Sequence, residues 1–163
     1  PGGTVHGLPE AAEALSELDI PFAIHSDQLI ASAAYYLAAD AEFISTTRSA
    51  SSGSIGTIIP WIDMAALWES YGYKWDPIIS EGSDLKGIGF GPSLKPEHRA
   101  ELQRTVDTAK ADFLTHVQSA RDVDDSALRG QALDAPEALE AGLIDYIENV
   151  DAAYDRFLQL LTK

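Results

Sequence analysis

A chain of 163 residues, 45% apolar and 23% charged, is long enough to form one domain with its own core. Asp and Glu number 26 against 11 Lys and Arg, and the net charge of −15 argues against nucleic acid, whose phosphates need a cationic face. The absence of cysteine excludes a disulfide framework and a thiolate metal site, and charge interrupts every apolar stretch before the ~18 residues that a membrane span needs.

Pro1-Gly2-Gly3 reads as a turn with no strand before it, so an upstream segment is expected to be missing. Leu8 to Leu18 carries apolar residues at helical spacing, with Pro9 in the tolerant first turn. Pro21 to Ser26 predicts a short buried strand. Asp27 is a plausible N-cap, and Gln28 to Ala39, almost free of charge, predicts a helix buried on most faces. Glu42 to Thr47 is β-prone, Ser49 to Gly53 reads as a small-residue loop, and Ile55 to Ile62 as a central strand. Asp63 then caps a helix to about Tyr71, and Trp75 to Ser80 returns as a strand. Glu81 to Pro96, rich in Gly, Ser and Pro, is a long connection.

Lys95-Pro96-Glu97 opens a helix of about 25 residues ending near Arg121, with Leu102, Val106, Phe113, Leu114 and Val117 as its apolar stripe. Pro136 to Gly142 is a short helix stopped by glycine, and a terminal helix runs to about Leu161. Strands alternating with helices predict an α/β fold. The expected organisation is a single domain over 1–163, with 95–163 as a C-terminal helical portion.

Ser32 is the candidate nucleophile. It sits early in an apolar segment after a strand, where unpaired N–H groups gather, and Ala31, Ala33 and Ala34 leave room for a substrate backbone. A small serine bonded back to its own helix is the structural alternative. A base is needed, and no spacing ties His6, His25, His98 or His116 to Ser32. Of the five lysines, Lys86 lies inside the Gly-rich connection, while Lys95 stands at its end where the next helix opens. A desolvated lysine can accept a proton near neutral pH. Gly2-Gly3 can turn an N–H toward a ligand, which makes Gly3 a candidate oxyanion donor together with the N–H of Ala33.

These residues fall in an order that resembles the signal peptide peptidase A family of Ser-Lys peptidases, which includes the phage prohead proteases. The order is Pro1-Gly2-Gly3, Ala31-Ser32-Ala33-Ala34-Tyr35, Gly53-Ser54-Ile55-Gly56, Ser80 through Lys86, and a tail of Gly130, Ala138, Gly142, Leu143, Ile144 and Asp145. The resemblance implies a ClpP/crotonase fold, a repeated ββα spiral with flanking helices. It implies a serine endopeptidase in which Lys86 is the base for Ser32 and Ser54 holds the lysine. Neither cofactor nor metal is implied; a peptide or protein substrate and a homo-oligomer are. The cleavage would serve phage capsid maturation or signal-peptide degradation. A cytoplasmic or virion-associated location follows, or a membrane-associated one if an upstream anchor is missing.

Three departures stand out: Ala33-Ala34 where many members have two glycines, a longer approach to Lys86, and Gln131 where the family commonly has Arg. The rival readings are a catalytically inactive structural or assembly module on the same fold and an acyl-CoA enzyme of the crotonase type.

Overall fold

The structure, a computed structural model, describes residues 1–87 and 94–162, so residues 88–93 of the predicted Glu81–Pro96 connection lie outside the described residues. In chain order the elements are α1 (Leu8–Ser16), β1 (Ile24–Ser26), β2 (Leu29–Ala31), α2 (Ala33–Ala38), β3 (Ile44–Thr46), β4 (Ser51–Gly53), α3 (Ala65–Ser70) and α4 (Pro96–Ala120). After a 3-10 turn at Asp125–Ala127 come β5 (Ala132–Asp134), α5 (Ala135–Glu140), β6 (Tyr146–Ile147) and α6 (Val150–Leu161). Two compact units form: Pro1–Thr57 with Ala109–Lys163, and Ile58–Thr108.

In the first unit β1 and β2, joined by a two-residue turn, go to different sheets, and so do β3 and β4, joined by residues 47–50. β3 pairs parallel with β1 (Ile24 opposite Ile44), and β4 pairs parallel with β2 (Ala31 opposite Gly53). Each ββα turn therefore lays its first strand on one sheet and its second on the other, the α/β spiral plan that was expected. The tail completes both sheets, β6 parallel to β3 and β5 antiparallel to β4.

The core lies between the sheets and α2, α4 and α5. Tyr35, Ile44, Ile55, Val117, Ala138, Leu143 and Ile144 are at most 2% exposed, and each large apolar side chain buried this way contributes about 1.5–3 kcal/mol. On α4 only Phe113 and Val117 of the predicted stripe are fully buried, with Leu114 packed against the core. The Tyr36 ring of α2 stacks on His116 at 4.0 Å and meets Phe113 at 5.2 Å. His116 Nε2 donates to the Tyr36 carbonyl at 3.0 Å, and the Tyr36 hydroxyl donates to Asp112 at 3.3 Å. Burial, with Asp112 adding to it, pushes the Tyr36 phenol up to about 12.

Four predicted elements differ from the observed ones. The apolar run Gln28 to Ala39 is a strand followed by a short helix, with Ser32 rather than Asp27 at the helix start; periodicity does not separate a buried strand from a buried helix in so short a run. The presumed loop Ser49 to Gly53 contains β4, and its residues are small because the backbone is crowded. A Cβ on Gly53 would lie 3.0 Å from the Gln131 carbonyl oxygen and 3.2 Å from Leu143 Cδ1. Ile55 to Ile62 and Trp75 to Ser80 contain no strand; Ile58 and Ile62 are 84% and 75% exposed, and Gly56 and Pro60 interrupt the run.

The second unit holds α3, introduced by Asp63, whose carboxylate accepts from Ala65 N–H at 2.9 Å, and the first half of α4. None of its described residues is buried. No helix among the described residues is long and apolar enough to cross a membrane.

Candidate active site

Where β2 hands over to α2, Ser32 takes φ 54° and ψ −127°, a conformation that side chains disfavour by about 1–3 kcal/mol. Two backbone hydrogen bonds hold it there. Its N–H donates to the Gly53 carbonyl at 2.9 Å, which extends the β2–β4 ladder by one step, and its carbonyl accepts from Tyr36 N–H at 2.9 Å, the first turn of α2. The side chain thus sits on a sharp strand-to-helix turn, a geometry that presents a hydroxyl rather than burying it, and Ser32 is partly exposed.

Ser54 follows Gly53, the last residue of β4, as Ser32 follows Ala31, the register partner of Gly53 on β2. It has φ 53°, and its N–H donates to the Gln131 carbonyl at 2.7 Å. Among the described residues these two serines are the only non-glycine positions with positive φ.

Gly2 and Gly3 lie against this turn. A Cβ on Gly2 (φ 124°) would come within 3.3 Å of Ser32 Cβ and 3.8 Å of its Oγ, and one on Gly3 would lie 3.4 Å from Ala33 Cβ. The first N–H groups of α2, Ala33 among them, have no carbonyl partner within the helix. A cleft of about 330 Å³ borders Gly2, Gly3, Ala33 and Ala34, and Leu8, Ala11 and Leu37 give it apolar walls. The sequence had shown those three only as helix-face residues. His6, also on the cleft, is exposed; its nearness in sequence to Gly3 was the one signal that could have placed it there.

The other histidines have partners elsewhere. His25 Nδ1 meets Ser45 Oγ at 2.8 Å, His98 bonds the Asp84 carbonyl at 3.0 Å, and His116 serves α2 as described. Lys86 belongs to the second unit, where it is exposed and its N–H closes a turn onto the Ser83 carbonyl at 2.8 Å. Among the described residues no group of three or more His, Asp or Glu is placed to hold a metal ion.

The Ala31–Tyr35 segment and the tail hold each other in register. The buried Tyr35 hydroxyl donates to the Leu143 carbonyl at 2.8 Å. Burial pushes the Tyr35 phenol well above its ordinary range against the opposing pull of Arg121, and Asp145 adds to the rise, so it stays a neutral donor. Asp145 accepts from Ile44 N–H and from Arg121, each at 2.7 Å. Tyr35→Phe leaves the Leu143 carbonyl buried without that donor and should cost about 1–3 kcal/mol in urea unfolding; an unchanged midpoint would show that this bond contributes nothing.

Residues 14–162, which include both strained serines, match the family model described as peptidase family S49. The chain is 31% identical over 164 residues to an Enterococcus faecium protein named "Putative signal peptide peptidase SppA", covering 95% of this chain and 47% of that one. It is 27% identical over 151 residues to "Putative protease slr0021" of Synechocystis sp., covering 89% of this chain and 54% of the relative. The chain thus spans about half the length of these relatives. The crystal structure of an enoyl-CoA hydratase/isomerase family member aligns over 95% of this chain and 43% of its own, with 17% identity and a TM-score of 0.42. With a match that runs from residue 14 to residue 162, this chain belongs to peptidase family S49.

Proposed function

We propose that the chain is the peptidase domain of a serine endopeptidase in which Ser32 and Lys86 form the catalytic dyad. Ser32 Oγ attacks the substrate carbonyl carbon as Lys86 takes its proton. The N–H groups of Gly3 and Ala33 hold the oxyanion, and Lys86 returns the proton to the departing amine. Water then attacks the ester carbonyl, its proton passing through Lys86 to restore the Ser32 hydroxyl. Ser54 orients the lysine. The role requires a neutral Lys86 amine within hydrogen-bond reach of Ser32 Oγ.

The observation that carries this reading is the pair of strained serines that directly follow the paired residues Ala31 and Gly53, with the Gly2-Gly3 turn laid against the first of them. Strain at a small polar residue persists only where surrounding structure enforces it, and it clusters at reactive positions. Peptides of the signal-peptide class are the first substrates to try, given the name of the Enterococcus relative; phage capsid maturation is the other setting. The exposure of Lys86 favours a second reading, a catalytically silent assembly module.

A fluorophosphonate probe separates the two. Wild type should label on one serine, Ser32→Ala should not label, and Lys86→Ala should keep its circular dichroism while losing peptide turnover. Labelling that persists in Ser32→Ala would move the nucleophile elsewhere, and a wild-type chain that never labels supports the silent module.

A further inference from the structure

All three tryptophans of the chain, Trp61, Trp68 and Trp75, fall in the second unit. There α3 stops at Gly72 (φ 78°), where Gly72 N–H donates to the Glu69 carbonyl at 2.9 Å and Tyr73 N–H to the Trp68 carbonyl at 3.0 Å. That left-handed cap turns residues 73–75 back along the helix. Trp75 consequently lies against Trp68, ring centres 6.1 Å apart and tilted by 43°. Between the two limbs is a cleft of about 510 Å³ lined by Leu67, Trp68, Tyr71, Tyr73, Lys74 and Trp75. Its volume falls within the roughly 300–1,000 Å³ of small-ligand sites.

Five of the six lining side chains are apolar or aromatic and the sixth is a cation. In a chain with 26 carboxylate side chains, no Asp or Glu pairs with Lys74 among the described residues. The apolar walls disfavour a hydrated polyanion, and Lys74 beside them offers a single carboxylate its complement. A guest with one apolar side chain and one carboxylate satisfies both.

We propose that this cleft binds the C-terminal residue of a peptide, its side chain against Trp68 and Trp75 and its α-carboxylate on Lys74. That the guest is a peptide rests on the peptidase reading, since hydrolysis of a peptide bond creates such a terminus. The site itself is distinct from the Ser32 turn and involves no bond making.

Because Trp68 and Trp75 line the cleft, intrinsic fluorescence reports its occupancy. The full chain carrying Ser32→Ala, which cannot consume a peptide through that serine, is titrated with N-acetyl-Leu-Leu-Phe as the free acid and as the C-terminal amide. The acid should bind at least about ten-fold more tightly than the amide. Lys74→Met should erase the difference, and Lys74→Arg should retain it; Lys74 is exposed, so neither change disturbs packing. Equal binding of acid and amide, or no response to either, overturns the proposal. So does emission that follows protein concentration instead of peptide, which would identify a second copy of the chain as the occupant. Acid-over-amide preference in a chain whose Ser32 never labels would keep the cleft and sink the peptidase; the converse result would sink the cleft alone.

Discussion

Glycine at position 32 is expected to yield a chain that is more stable than wild type and inert toward peptides. The wild-type serine holds φ 54° and ψ −127° between a strand and a helix. A side chain there costs about 1–3 kcal/mol, and glycine is free of that cost while losing about 0.5–1 kcal/mol to its larger unfolded-state entropy. The net gain of about 1 kcal/mol should raise the melting temperature by roughly 2–4 °C for a chain of this size. On the mechanism proposed above, turnover should fall by at least about 1,000-fold, because no hydroxyl would remain to form the acyl-enzyme. Ser32→Ala is the control. It loses the same hydroxyl and keeps the strain, so it should match Ser32→Gly in activity and fall below it in melting temperature. Equal melting temperatures would mean that the turn stores no strain, and residual turnover in both variants would remove Ser32 from the chemistry.

The long α4 was legible because its signals are local. Pro96 fits the first turn, Glu97 suits the positive end of the helix, and the apolar stripe repeats over about four turns. β4 was illegible for the opposite reason: Ser51-Ser52-Gly53 has poor strand propensity and becomes a strand only because β2 and β5 pair with it on either side. Ile55 to Ile62 had the propensity without the partners. The site divides in the same way. Residue chemistry picked out Ser32, Gly3 and Ala33 and the order of motifs added Ser54; Gly3 lies against Ala33, and Ser54 follows Gly53, whose carbonyl accepts from Ser32 N–H. Their strained backbone was not readable, since φ at both serines follows from pairing to Gly53 and Gln131, residues far apart in sequence. The hydrogen bond from Tyr35 to Leu143 spans 108 positions and gave no local sign.

Gly142→Ala should be the most damaging of the single-methyl additions. The residue has φ 77°, and a Cβ there would sit on the Asp122 carbonyl oxygen, far inside contact distance. Backbone cannot swing aside as the tip of a side chain does, so either the 122–123 segment or the tail must move. Movement of the tail would displace the Leu143 carbonyl from Tyr35 and the Asp145 carboxylate from Ile44 and Arg121. Conformational strain of about 1 kcal/mol, overpacking of about 1–3 kcal/mol and the loss of one buried hydrogen bond together predict a cost above about 3 kcal/mol in urea unfolding. Gly7→Ala isolates the steric part. Gly7 lies in the same unit with φ 80°, and a Cβ there would meet nothing within 4 Å. It should therefore cost only the strain, about 1 kcal/mol. If both variants unfold at the same urea concentration, the close approach of Gly142 to Asp122 does not hold the tail in place, and the register of Tyr35 on Leu143 must be set by the Asp145 contacts instead.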